Sequence, residues 1–449
     1  MRSVLLAFLI SFTLLSCKPN LKLPVAQQGQ ASFTRLVAVG DDYLSGLSNG
    51  ALSAAGQQYS IPNQLATQCK TYFSSDDFNQ PLLPGNFGFG VDLDVQNHTH
   101  YYTPFQLLHY TDCAGVDQLF PLRNELESTN AALVDGLTPV FTAGGFNNFA
   151  VPLARASDLS ATIFGSTAEI ASGGNPFYAR FAQNQGQSTI LHESMTLGAS
   201  FFLLHLGMSD IYLYAKNGAA SGALTLPADF QTYLYKTLDS LTANGAKGVI
   251  ANIPSPEDLP YFNTIGSQGL VLDQQKADLL NSVFGGQLDF QVGANGFVMY
   301  DPQAPFGYRH LLPEEKVMLR VNTDSLKCMG LGSLYPLHSR DVLDTAELRI
   351  LEAGIDAYNQ VIEQAATAYG LAFVDLHDYF HQVQQGLVEN GVAINSTLVS
   401  GNFFSLDGYT PTPLGYSLIT NQFIQAINIR YGSTIPAVNT AGVPAVIFP

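Results

Sequence analysis

The sequence predicts a doubly wound α/β fold, a parallel sheet covered by helices on both faces to make three layers. Three observations predict it. Apolar, β-branched runs recur and stop at Gly, Pro or Asp, as strands buried on both faces do. Segments with apolar residues at helical spacing lead straight into the third and fourth of these runs. Looser stretches rich in Gly, Pro, Asn and aromatic residues, at 60–145 and 255–345, read as long loop insertions at the edge of the sheet. One domain over 32–449 is expected. Apolar residues make up 46% and charged residues 12% of the chain, enough for a large core and too apolar for disorder.

The elements follow in order. Phe33 to Gly40 reads as a core strand entering a loop, and Ala199 to Leu206 as a second, stopped at Gly207. Asp229 opens a helix with Phe230, Leu234, Leu238 and Leu241 on one side, ending near Gly245. It feeds the third strand, Lys247 to Ile253, with Pro254 beyond. Asp344 and Glu347 form a capping box before Leu348, Leu351, Ile355, Tyr358, Ile362 and Ala365, with Gly370 as the stop. The fourth strand, Leu371 to Val374, follows at once. A last helix is expected from about Pro413 to Tyr431, ended by Gly432. In open α/β sheets the functional groove lies at the carboxyl ends of the strands, so the residues after each strand matter most.

Charge and targeting bound the partners. With 19 Lys plus Arg against 36 Asp plus Glu, the formal charge is -17, which excludes a nucleic-acid partner. Residues 1–16 carry Arg2 and an apolar run from Val4 to Leu15, a secretory signal too short to span a bilayer. Leu14-Leu15-Ser16-Cys17 resembles a bacterial lipobox. That resemblance makes Cys17 the lipidated first residue of the mature chain, with residues 17–31 as a tether. It places the protein in the cell envelope, at the outer membrane of a Gram-negative bacterium. Of the remaining cysteines, Cys69 and Cys113 form one possible disulfide pair in an oxidising envelope, and the odd count with Cys328 leaves a thiol over. None has a CxxC partner or a His at metal-ligand spacing, and no cofactor is expected.

Four blocks occupy the expected functional positions. Gly40-Asp41-Asp42-Tyr43-Leu44-Ser45-Gly46 follows the first strand, and Gly207-Met208-Ser209-Asp210 follows the second. Phe146-Asn147-Asn148-Phe149-Ala150-Val151-Pro152-Leu153-Ala154 lies between them. Asp407-Gly408-Tyr409-Thr410-Pro411-Thr412-Pro413 precedes the last helix. With Phe78-Asn79-Gln80-Pro81, Asn175 to Phe181 and Asn252-Ile253-Pro254, these blocks make nearly the whole mature chain resemble the SGNH, or GDSL-like, ester hydrolases, most of all long lipoprotein members from Bacteroidota. The resemblance implies the flavodoxin-like fold of that family.

It also implies serine catalysis: a Gly-Asp-Ser nucleophile, a Gly N–H and an Asn amide as oxyanion donors, and an Asp-x-x-His base. This chain departs at each of those positions but one. The nucleophile position holds Asp42, the backbone-donor Gly position Leu153, the amide-donor position Ser209 and the base position Thr410. Only the orienting acid, Asp407, is kept. A carboxylate cannot be activated as a serine is, and Thr410 has no titration near neutrality. Loss of one oxyanion donor alone costs about 3–4 kcal/mol of transition-state stabilisation. Ordinary serine ester hydrolysis is therefore not expected, and the chain reads as a pseudoenzyme on a hydrolase scaffold.

Other residues are weighed as replacements. Ser45 is the nearest serine to Asp42, and His205, His98 and His100 are candidate bases. A turn-holding role for Ser45 and solvated loop positions for His98 and His100 are the simpler expectations. Asp42 and Asp407, with Asp210, could hold a cation or run carboxylate-based hydrolysis; the simpler expectation is that Asp41 and Asp42 accept loop N–H bonds and that Asp407 caps the region before the last helix. The leading expectation is a binding or structural protein, with a groove near Asp42, Ser45, Met208 and Tyr409 taking a glycan, lipid or peptide. An atypical active esterase and a hydrolase built on Asp42 and Asp407 are the alternatives.

Overall fold

A computed structural model of the chain describes residues 25–93, 98–167, 172–219 and 224–446. Cys17 and its signal segment lie outside the described residues. Among those described, no helix is long and apolar enough to cross a membrane.

Five parallel strands form the central sheet: β1 (Leu36–Gly40), β2 (Asn148–Ala150), β3 (Phe201–His205), β4 (Lys247–Ala251) and β5 (Ala372–Val374). Their spatial order is β5-β4-β3-β1-β2. All four pairings are parallel. This is the flavodoxin-like order, in which the chain reverses direction beside β1 and opens a crevice there. The inner strands β1 and β3 are buried along their whole length, which is why they read as unbroken apolar runs. Strand β2, an edge strand of three residues, is absent from the sequence-based prediction; its Asn148 pairs with Ala38 and its Ala150 with Gly40.

The helices that bear on the sheet and the site include α1 (Asp42–Ser45), α2 (Ile61–Phe73), α3 (Ile190–Thr196), α4 (Met208–Ala215), α5 (Pro227–Thr242), α6 (Thr345–Tyr369) and α7 (Pro413–Tyr431). Helices α2 and α7 pack together on one face of the sheet, and α3, α5 and α6 on the other. The predicted capping box of α6 is present: Glu347 N–H donates to Asp344 Oδ1 at 2.8 Å, and the Glu347 carboxylate accepts from the Asp344 N–H at 2.9 Å. Gly370 and Gly432 end α6 and α7 in the left-handed conformation, at φ 67° and 65°. Helix α2 belongs to the core layers although it falls in the stretch read as an insertion from residue 60.

The first insertion is therefore mostly the antiparallel sheet of Gly88–Leu93, Thr99–Tyr102 and Glu125–Leu126, with the hairpin Gln106–Thr111 and Asp117–Leu122. The second insertion has a small core of its own, including Leu272, Phe284, Phe290, Val298 and Leu337. A disulfide joins the two insertions, Cys113 to Cys328. This corrects the pairing considered from sequence: Cys69 is a free thiol, fully buried on the inner face of α2, where it meets no other sulfur. Burial pushes that thiol up to about 12, so it stays protonated and inert.

Candidate functional site

The end of β1 sets the site. After Gly40 the chain turns into α1, and the two following carboxylates point to different elements. Asp41 accepts from the backbone N–H of Met208 at 3.0 Å and of Ser209 at 3.4 Å, and it pairs with His205 Nδ1 at 2.7 Å. It ties the end of β1 to the end of β3. His205 is fully buried, and its Nε2 has no hydrogen-bond partner.

Asp42 is also fully buried. Its Oδ1 accepts from the Leu153 N–H at 2.8 Å. Its Oδ2 accepts from the Ser209 hydroxyl at 3.0 Å and the Tyr409 hydroxyl at 2.8 Å. Leu153 and Ser209 are the positions that the family resemblance assigns to the oxyanion donors. Both positions offer a donor, and the Asp42 carboxylate rests on them. Leu153 keeps the backbone expected of glycine, with φ 67°, a conformation that costs a side-chain-bearing residue about 1–2 kcal/mol.

Burial dominates the electrostatics. The loss of water, and then the neighbouring Asp41 charge, raise the Asp42 carboxyl to about 6, against the three hydrogen bonds that favour the ionised form. Burial first, and then Asp42, hold the Tyr409 phenol well above its ordinary range, so it remains a donor. The Tyr409 ring lies flat on Tyr212, 3.5 Å between centroids and 6° between planes. Lys216 Nζ lies over Tyr212 at 5.7 Å and pairs with Asp92 at 2.8 Å. Asp92 also meets Arg123, whose guanidinium stacks on Tyr102 at 3.9 Å. The first insertion thus roofs the site through a ladder of rings and charges.

Asp407 and Thr410 form the third corner. Asp407 Oδ1 accepts from the Tyr409 and Thr410 N–H groups at 2.8 Å, and Oδ2 from the Gly50 N–H at 2.6 Å and the Thr410 hydroxyl at 2.5 Å. The acid therefore orients a threonine hydroxyl, at the position where the family resemblance implies an imidazole. Thr410 Oγ1 also meets Ser405 Oγ at 3.0 Å. The Ser45 hydroxyl donates to the Asp42 carbonyl at 2.7 Å and accepts from the Leu47 N–H at 3.2 Å. Neither hydroxyl bonds a histidine.

Asp42, Leu153 and Ser209 meet directly, and Tyr409 joins them. Asp210 does not: it accepts from the Ala156 N–H and the Thr225 hydroxyl, at 3.0 and 2.7 Å, and burial raises it too to about 6. His100 pairs with Glu125 inside the first insertion. Asp42, Ser45, Met208 and Tyr409, the residues beside which the groove is expected, are themselves packed, at 0, 2, 1 and 2% exposed. Among the described residues no three His, Cys, Asp or Glu side chains are grouped to hold a metal ion. The oxygens of Asp42 and Asp407 face N–H and O–H donors.

The roof of Tyr212 and Tyr409 had no signal in the sequence, since the rings come from residues far apart in the chain. The further blocks brace the same end of the sheet. Gln80 Oε1 accepts from Asn148 Nδ2 at 3.0 Å, and buried Arg180 donates to the Pro81 and Leu82 carbonyls at 3.2 and 3.1 Å. Asn252 Nδ2 reaches Asp375 at 2.8 Å, joining the ends of β4 and β5.

No family model and no curated protein matches the chain. Among solved structures it is similar to Axe2, an acetylxylan esterase from Geobacillus stearothermophilus, at 9% identity and a TM-score of 0.35, over 89% of this chain and 96% of that one. It is also similar to LAE5, an α/β hydrolase from the metagenome of Lake Arreo, Spain, at 11% identity and a TM-score of 0.34, over 89% and 96% of the two chains. A lipase/acylhydrolase from Enterococcus faecalis matches at 10% identity and a TM-score of 0.26, over 65% and 79%. The fold of this chain rests on its own strand order and register rather than on likenesses this distant.

Proposed function

We propose that this protein is a non-catalytic relative of the SGNH ester hydrolases, a binding or structural protein of the cell envelope held at the membrane through lipidated Cys17. One observation carries the reading: the Asp42 carboxylate sits on the Leu153 N–H and the Ser209 hydroxyl. An acyl oxyanion would need those same donors, and a carboxylate already there both fills the position and repels the developing charge. The base position adds a second obstacle, since Asp407 holds the Thr410 hydroxyl. The ligand, a glycan, lipid or peptide, would meet the aromatic insertions rather than the packed strand ends.

The test is turnover of a short acyl ester, together with labelling by a fluorophosphonate reagent. The native chain is expected to hydrolyse no faster than Asp42→Ala and to take no label. Turnover abolished by Ser45→Ala would sink the proposal in favour of an atypical serine esterase. Turnover that resists the reagent but vanishes in Asp42→Asn would favour carboxylate chemistry. For the anchor, the native chain is expected in the detergent phase on phase separation and Cys17→Ser in the aqueous phase.

A further inference from the structure

Away from the strand ends, a cavity of about 300 Å³ opens beside the edge strand β2. Its mouth is exposed, framed by Phe141, Gly144 and Gln183. Its floor is buried: Phe149 on β2, Phe181, and Glu193 on α3 are 2, 4 and 2% exposed. The rings meet at steep angles, Phe146 to Phe181 at 78° and 5.8 Å, and Phe149 to Phe181 at 55° and 6.0 Å. Rings set this way form a corner and turn more than one π face toward a single space.

Glu193 is the unusual part. Its Oε1 accepts from the Gln183 N–H at 2.7 Å and from the Ser188 hydroxyl. Neither of those bonds uses Oε2. None of the ion pairs among the described residues includes Glu193. A carboxylate buried this deeply without a cation is costly: the Tyr178 phenol beside it carries no positive charge, and the phenylalanine rings offer no hydrogen bond. They do offer negative π faces, which attract a cation. An anion would be repelled by Glu193. A neutral apolar ligand would leave the carboxylate as it is. A sugar would need a ring of hydrogen-bond partners, whereas the deep part of this cavity supplies a single polar side chain.

We propose that this cavity binds a small organic cation, an alkylammonium group with an apolar body, seated between the phenylalanine rings and the Glu193 carboxylate. The site shares no residue with the Asp42 cluster, so it stands or falls separately from the proposed loss of catalysis. The approach is by way of Phe141, which is 69% exposed, and of Gly144 and Gly145, both left-handed at φ 88° and 81°. A Cβ added at Gly144 would meet nothing within 4 Å, so this rim has room to adjust around a ligand.

The experiment is calorimetric titration of the full chain with choline chloride and with its neutral isostere 3,3-dimethylbutan-1-ol, at fixed ionic strength. Choline is expected to bind about tenfold or more tightly than the alcohol, the scale of a desolvated cation–π and charge contact. Glu193→Gln keeps an acceptor for Gln183 and Ser188 and is expected to remove that preference. Phe141→Ala, at an exposed rim position that leaves the core intact, is expected to weaken choline severalfold. Equal binding of the two probes, choline binding unchanged in Glu193→Gln, or no choline binding at all would each overturn the proposal.

Discussion

A carboxyl group deprived of water ionises late, and Asp42 does so at about 6 instead of 3.8. The sign of the consequence follows from linkage. Between those values the unfolded chain has released the proton and the folded chain still holds it, so stability falls as pH rises. The loss, complete above about pH 6, amounts to about 3 kcal/mol for a shift of this size. Asp42→Asn removes the titration and keeps an acceptor for the Leu153 N–H, while the Ser209 and Tyr409 hydroxyls can turn to accept from the new amide. Its melting temperature is expected to exceed that of the native chain at pH 8. Its stability should also fall less between pH 4 and 6, with a residual slope from Asp210, which burial raises in the same window. Thermal melts across that range decide it; an unchanged slope would mean that Asp42 holds no such proton. The identity of this residue was readable from the sequence, through its place after the first strand. Its partners were not all so: Leu153 and Ser209 came with the family pattern, whereas Tyr409 as a donor to Asp42 depends on how the α7 approach loop closes.

At the scale of elements, the ends carry the clearest signals. Helix α7 begins where Thr412 accepts from the Gly415 N–H at 3.0 Å and donates to the Asn402 carbonyl at 2.7 Å. Pro413 at the first turn and Gly432 at the stop complete a local pattern that needs no tertiary knowledge. Thr412→Ala removes both bonds and is expected to cost about 1–2 kcal/mol. Urea unfolding would report this as a lower midpoint at unchanged slope. Strands β1, β3, β4 and β5 were equally readable, because burial on both faces demands continuous apolar residues. Strand β2 was not. It is three residues long, it starts with Asn148, and it exists because Ala38 and Gly40 offer it a register. Short edge strands owe their conformation to a neighbour, and no window of sequence contains that neighbour.

On the scale of the whole molecule, the layers follow from the alternation of helix and strand, but the relation between the two insertions does not. Phe105 N–H donates to the Asn49 carbonyl at 2.8 Å, which hangs the first insertion on the loop beside Asp407. The second reaches the same end of the sheet through Tyr261, whose N–H meets the Gly408 carbonyl at 2.9 Å. Spacing could not show that Cys113 and Cys328 face each other across these two bodies, since they are 215 residues apart. Their bond closes a covalent ring that takes in β2, β3 and β4. On the chain-entropy account a ring of this size contributes about 5 kcal/mol. It also governs what a protease can do. The Gly285-Gly286 turn, left-handed at both residues and with open space around it, lies inside the ring and is a natural place for a cut. A chain nicked there would still run as one species on a gel without thiol and would part into two pieces only once reductant is added. Two pieces without thiol would show that the ring is open. Damage at such a turn would then release no fragment, and the two halves would stay joined.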